Sequence, residues 1–133
     1  MGMIEPLFAS NNYQIACKLL DAATLRHQAI AANIANAETP GYKRVDVAAN
    51  FAAELRASMA RGDFAKTAAT LQPALEEDAH ARSVRPDGNS VEIEHELLEM
   101  NRNSAEHEYL SQVVGYNLKQ LKMAISGNVG NNG

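Results

Sequence analysis

The sequence predicts a mainly α-helical fold: long N- and C-terminal helices pairing as an antiparallel coiled coil, with a short helix and an irregular loop or extended segment between them. Three observations carry that prediction. Apolar residues recur at alternating spacings of three and four near both ends of the 133-residue chain, which gathers them on one helical face. The composition is 46% hydrophobic but only 5% aromatic, with no tryptophan. Much of the apolar content is therefore alanine, which favours helix and close helix approach while contributing little burial energy. Between the ends the helical period fades, and proline, glycine and threonine break the chain as they do in loops.

The first helix is expected from about Ser10 to Asn36. Ala16, Leu20, Ala23, His27, Ile30 and Ile34 form its stripe, which Ile15, Leu19 and Leu25 widen. Ser10, Asn11 or Asn12 suits the N-cap, and such a helix is roughly 40 Å long. Its end is spelled out in Asn33-Ile34-Ala35-Asn36-Ala37-Glu38-Thr39-Pro40-Gly41-Tyr42-Lys43. Thr39 precedes a proline and is pushed towards extended geometry. Pro40 cannot donate into a helix, and Gly41 supplies the positive φ that a type II turn needs at its third position. Asn33 and Asn36 stand in the last turn, where their amides reach neighbouring carbonyls or a partner chain. Such a specified ending implies that the exit direction of the chain matters.

Residues 1–44 thus form an N-terminal helix plus turn, and residues 45–89 a flexible middle segment with one short helix. Phe51, Leu55 and Met59 mark that helix, closed by Arg61-Gly62-Asp63. From Phe64 to Arg85, including Glu76-Glu77-Asp78, the chain reads as loop or loosely extended, and Pro86-Asp87-Gly88-Asn89 is a turn that launches the last helix. That helix is expected over residues 90–126, with residues 127–133 a disordered tail. Ile93, Leu97, Met100, Ser104, His107, Ser111, Val114, Leu118, Leu121 and Ile125 keep the 4–3 alternation throughout. Asn89 and Glu92 have capping-box spacing. Acidic residues crowd the start and Lys119 and Lys122 lie near the end, as the helix dipole prefers. Gly127 is a natural stop. The middle of the stripe is weak, because a buried leucine contributes ~1.5–3 kcal/mol and serine far less. Two helices with this seam pair marginally alone and gain from neighbours.

The chemistry-bearing residues point away from catalysis. A net charge of −4 disfavours an electrostatic nucleic-acid binder. The single cysteine, Cys17, lies in a helical pattern, so no intramolecular disulfide forms. His27, His80, His95 and His107 lack the i, i+4 spacing of a helical metal pair, and His27 and His107 read as half-buried packing residues on the seams. Glu92, Glu94, Glu96 and Glu99 scatter over the helix and read as a solvated start, and Lys43-Arg44 as a solvated pair. No phosphate loop, nucleophile elbow or dinucleotide fingerprint occurs, so no enzyme, cofactor or metal is expected. No apolar run reaches the ~20 residues of a membrane span. The N-terminus lacks the basic and apolar regions of a cleavable signal.

The Asn33–Lys43 stretch resembles the N-terminal signature of the bacterial flagellar axial proteins, the rod, hook and hook-associated subunits. In that family a helix ends in N-I-A-N-A-x-T-P-G-Y. The C-terminal part, with Asp87-Gly88-Asn89-Ser90-Val91, Glu96-Leu97, Asn103, Tyr109, Leu121 and Ile125, is similar to the proximal rod subunits of the family, and the short middle agrees. The resemblance implies a structural subunit of the proximal rod, the hollow helical driveshaft between the MS ring and the distal rod and hook. It implies export by the flagellar type III apparatus without a cleaved signal, and residence in the basal body where it crosses the periplasm. Its partners would be copies of itself, other rod proteins, MS-ring and rod adaptor proteins and the export apparatus. Asn33, Ile34, Asn36, Thr39, Pro40, Gly41 and Tyr42 would set the turn and its inter-subunit bonds. Leu20, Ile30 and Ile34 would face Leu97, Met100, Val114, Leu118, Leu121 and Ile125 in the helical pair. The competing reading is a small cytoplasmic helical adaptor or type III export chaperone that binds a partner helix.

Overall fold

A computed structural model describes residues 11–130. Helix α1 (Asn11–Ala35) leads through a turn into strand β1 (Val45–Val47) and helix α2 (Ala49–Arg61). A single helical turn, α3 (Phe64–Thr67), strand β2 (Leu75–Glu77) and the long helix α4 (Ile93–Gly130) complete the order. The expected cap at Ser10 and the last three residues of the expected tail lie outside the described residues.

Helices α1 and α4 form the most extensive contact between described elements. They run in opposite directions, since Asn33 near the end of α1 meets Glu96 and Ala23, further back, meets Asn103. Close approach follows from composition: Ala16, Ala23 and Ala29 are all buried, and an alanine face lets helix axes draw together.

The middle segment is more structured than a flexible arm. Strands β1 and β2 pair antiparallel, with Val45 opposite Glu77 and Val47 opposite Leu75. Phe51 and Leu55 of α2 and Phe64 of α3 pack with Val47 against Ala22 of α1, joined by Ile15, Leu19, Leu25, Ala68 and Leu71. This cluster is where burial of large apolar side chains stabilises the molecule. Met59, at the end of the expected α2 face, is exposed. Gly62 closes α2 in the left-handed conformation, φ 76°, with Asp63 N–H donating to Ser58 O at 3.1 Å, the six-to-one bond of a Schellman ending.

Two expectations for α4 are corrected. It continues through Gly127 to Gly130, because Gly127 is not among the glycines with positive φ and so stays in the helical ladder. It starts at Ile93 without a capping box. The Asn89 side-chain oxygen accepts from Val91 N–H at 2.7 Å, while Glu92 pairs with Arg82 at 3.3 Å.

The face that α4 turns inwards is also rotated from the expected stripe. Glu96, Asn103 and Leu110 are buried and Met100, His107, Val114 and Leu121 half-buried, while Ile93, Leu97, Leu118 and Ile125 are exposed. In α1, Ile30 is buried, Leu20 and Ile34 are half-buried, and His27 is exposed rather than half-buried. Polar anchors cause the rotation. Once Glu96 and Asn103 bond to α1 and the turn, the helix is held with those residues inwards. Any other rotation would leave the buried Asn33 amide and Arg44 charge without these acceptors, which is costly.

Candidate functional site

The chain's most densely bonded region is the exit from α1, built from four separated segments: residues 33–46, Asp78, 85–90 and Glu96. After α1, Asn36 N–H still donates to Ala32 O at 3.1 Å. Asn36 also donates its side-chain amide to Ala32 O at 2.8 Å and accepts from Thr39 Oγ1 at 3.1 Å. Tyr42 N–H donates to Thr39 O at 3.2 Å, closing a turn around Pro40 and Gly41 whose third residue has φ 77°. That is the type II arrangement, open to glycine at little cost.

A second turn locks onto the first. Gly88 N–H donates to Arg85 O at 2.8 Å and Gly41 N–H to Asp87 O at 2.9 Å. The approach is tight: a Cβ on Gly88 would sit 3.3 Å from Gly41 Cα. Asn89, fully buried, directs its amide nitrogen at the carbonyls of Asn36, Ala37 and Thr39, at 3.0, 3.1 and 2.8 Å. These three residues follow α1 in the turn, where the helical ladder has ended, and one distant carboxamide bonds all three carbonyls. Arg85 adds a guanidinium bond to Ala37 O.

Asn33 is fully used. Its Oδ1 accepts from Val45 N–H at 2.8 Å and Tyr42 OH at 3.3 Å. Its Nδ2 donates to Val45 O at 2.9 Å and Glu96 Oε2 at 3.2 Å. By bonding both backbone groups of Val45, the side chain does what a third strand would do for β1.

Glu96, 0% exposed, takes its other oxygen to Arg44 Nε at 2.7 Å. Arg44 also donates to Asp78 Oδ2, lies 3.7 Å from Asp46, and sends its backbone N–H to Ser90 Oγ at 2.9 Å. Burial works against the Arg44 charge, but the bonds to Glu96 and Asp78 and the field of Asp46 outweigh it and raise its pKa. Burial also works against the Asp78 carboxylate, yet the His80 backbone N–H and the Arg44 guanidinium together hold its pKa below the ordinary value. Burial and the neighbouring Glu96 charge push the Tyr42 hydroxyl up.

Of the residues expected to contact other subunits, Asn33 and Tyr42 are thus engaged within the chain, Asn36 serves its own helix end, and Thr39, Pro40 and Gly41 are exposed. Ile34 is half-buried beside them. Arg44 and Glu96, expected as solvated charges, are instead the buried centre, and Asn89 and Asp78 join them. No local pattern marks them, because Arg44 and Glu96 are 52 positions apart. The arrangement fixes geometry and offers no nucleophile–base pair. Among the described residues no group of three or more histidine, cysteine or acidic side chains converges on a point that could hold a metal.

The family model described as "Flagella basal body rod protein" matches residues 20–43, the end of α1 and the first turn. The chain is 30% identical over 142 residues to "Flagellar basal body rod protein FlgB" of Escherichia coli (strain K12), covering 95% of this chain and 100% of that protein. It is 31% identical over 140 residues to the protein of that name in Salmonella typhimurium, covering 94% and 99%. The corresponding figures for the Aeromonas hydrophila protein are 30% over 117 residues, 81% and 87%.

Proposed function

The chain belongs to the FlgB family of flagellar basal-body rod proteins, and from that premise we propose how this structural subunit of the flagellar rod performs its task. It polymerises with copies of itself and with other rod proteins into the proximal part of the hollow driveshaft. There it joins the MS ring and its rod adaptors to the distal rod and hook. It reaches that place through the flagellar type III export apparatus and resides where the rod crosses the periplasm. The α1–α4 pair acts as a coiled coil, and the clamp around Asn33, Arg44, Asn89 and Glu96 fixes the angle at which the middle segment leaves it.

One observation carries the assembly reading. Leu97, Leu118 and Ile125 are exposed along α4 at multiples of seven residues, with Ile93 one turn before them, as in a packing stripe. A helix that exposes such a stripe beside its existing partner is incomplete without further helices. No described helix is long and apolar enough to cross a membrane, so protein neighbours are the natural cover.

The test is genetic and structural. Cells lacking the gene should not swim, and complementation should restore both swimming and the protein's presence in purified basal bodies. Normal swimming without the gene, or basal bodies that never contain the protein, would refute the proposal.

A further inference from the structure

The burial pattern leaves α4 with two exposed apolar stripes. Ile93, Leu97, Leu118 and Ile125 form one, and Leu98, Tyr109, Tyr116 and Met123 the other. At about 100° per residue the first stripe adjoins the face turned to α1, and the second lies on the back of the helix, turned away from α1. The first stripe has a hollow centre, since Ser104 and Ser111 stand where bulky residues would complete it. Beside Ser104 a groove of about 320 Å³ opens between α1 and α4, lined also by Thr24, His27, Gln28, Asn103 and His107. Asn103 is 3% exposed. It donates to Ala23 O at 2.8 Å, but its Oδ1 has no hydrogen-bond partner among the described residues. A buried acceptor without a donor is costly and demands an explanation.

The second stripe is the counterpart of the first. Its centre is bulky, with Tyr109 and Tyr116 66% and 64% exposed. Both pairs, the tyrosines and the serines, are separated by one heptad. In parallel side-by-side packing, the register that sets Tyr109 on Ser104 also sets Tyr116 on Ser111 and Met123 on Leu118. Both tyrosines then meet serines, large on small as dense packing requires, and Met123 meets Leu118 as an apolar pair.

We propose that the groove between α1 and α4 is a docking site for Tyr109 of a second copy of this chain, whose hydroxyl supplies the donor that Asn103 lacks. Tyr116 of that copy covers the next hollow at Ser111. The groove lies beside α1 and the tyrosines on the face of α4 turned away from it, so each copy gives a tyrosine to one neighbour and receives one from another. Such a heterologous contact extends an array and does not close as a dimer. The inference rests on the rod-subunit reading and names which faces meet.

The test uses basal bodies purified from cells making the chain with Tyr109→p-benzoylphenylalanine. Irradiation should attach residue 109 to residues 24–28 or 103–107 of another copy. Adducts to a different polypeptide, adducts elsewhere on the chain, or no adduct from basal bodies that contain the variant would overturn the inference. A smaller change checks it independently. In a Cys17→Ser background, Ser104→Cys with Tyr109→Cys should give disulfide-linked species larger than dimers, while each cysteine alone gives none; dimers from either single variant overturn it. If the unaltered chain is missing from basal bodies, the rod reading falls and this inference with it, whereas incorporation without the stated adducts sinks the inference alone.

Discussion

Asn89 and Glu96 illustrate how single side chains hold this molecule together. Replacing Asn89 with alanine removes a donor from three carbonyls of the turn just after α1. A loss of roughly 2–4 kcal/mol should follow from several unmade buried bonds, read as a lower urea midpoint. Glu96→Ala leaves the buried Arg44 charge short of its most buried partner, and breaking such a pair costs about 3–5 kcal/mol. Arg44→Met in the same chain should recover part of that loss, and a double-mutant cycle in thermal unfolding measures the coupling. Asp78 makes the clamp sensitive to acid. Its folded pKa is depressed below the ordinary 3.8, so its contribution is present above that value and is lost as pH falls through the folded pKa. The stability gap between the native chain and Asp78→Asn should therefore be constant near neutrality and narrow below about pH 4.

Among the elements, the two glycines Gly88 and Gly127 should respond in opposite senses to alanine. Gly88 has φ 88° and faces Gly41 Cα at a tight 3.3 Å, so Gly88→Ala should cost about 1–3 kcal/mol through backbone strain and crowding. Gly127 lies within α4 with open space where a Cβ would stand, so Gly127→Ala should stabilise by about 0.5–1 kcal/mol. Circular dichroism melts of the two variants check both signs. This contrast also marks what could be read in advance. The long helices and the Thr39–Tyr42 turn were legible because periodicity and turn chemistry are local signals. Strands β1 and β2 were not, since three residues each cannot display an alternation. Nor was the rotation of α4: the apolar stripe pointed one way, and bonds from Glu96 and Asn103 to segments far away in sequence turned it another.

At the scale of the whole molecule, the ends and the middle divide the work. The apolar cluster of Phe51, Leu55 and Phe64 against α1 gives the subunit a core of its own, while α4 leaves apolar surface exposed. Leu97 is 49% exposed, so Leu97→Asp should change the stability of the isolated subunit by no more than about 0.5 kcal/mol. Swimming should nevertheless be lost, as soft-agar motility with a parallel thermal melt would show. Unchanged motility would mean that this flank meets nothing. The clamp has one more consequence, which concerns timing. Asn33 waits for an acceptor 63 positions onward, and the carbonyl of Asn36, already bonded by Thr39 N–H, for a second donor 53 positions onward. Whenever the polypeptide is delivered from its amino end, the bend therefore stays open until residue 96 has arrived. A chain cut short of Glu96 presents an unfinished corner, and only a longer one acquires the set angle.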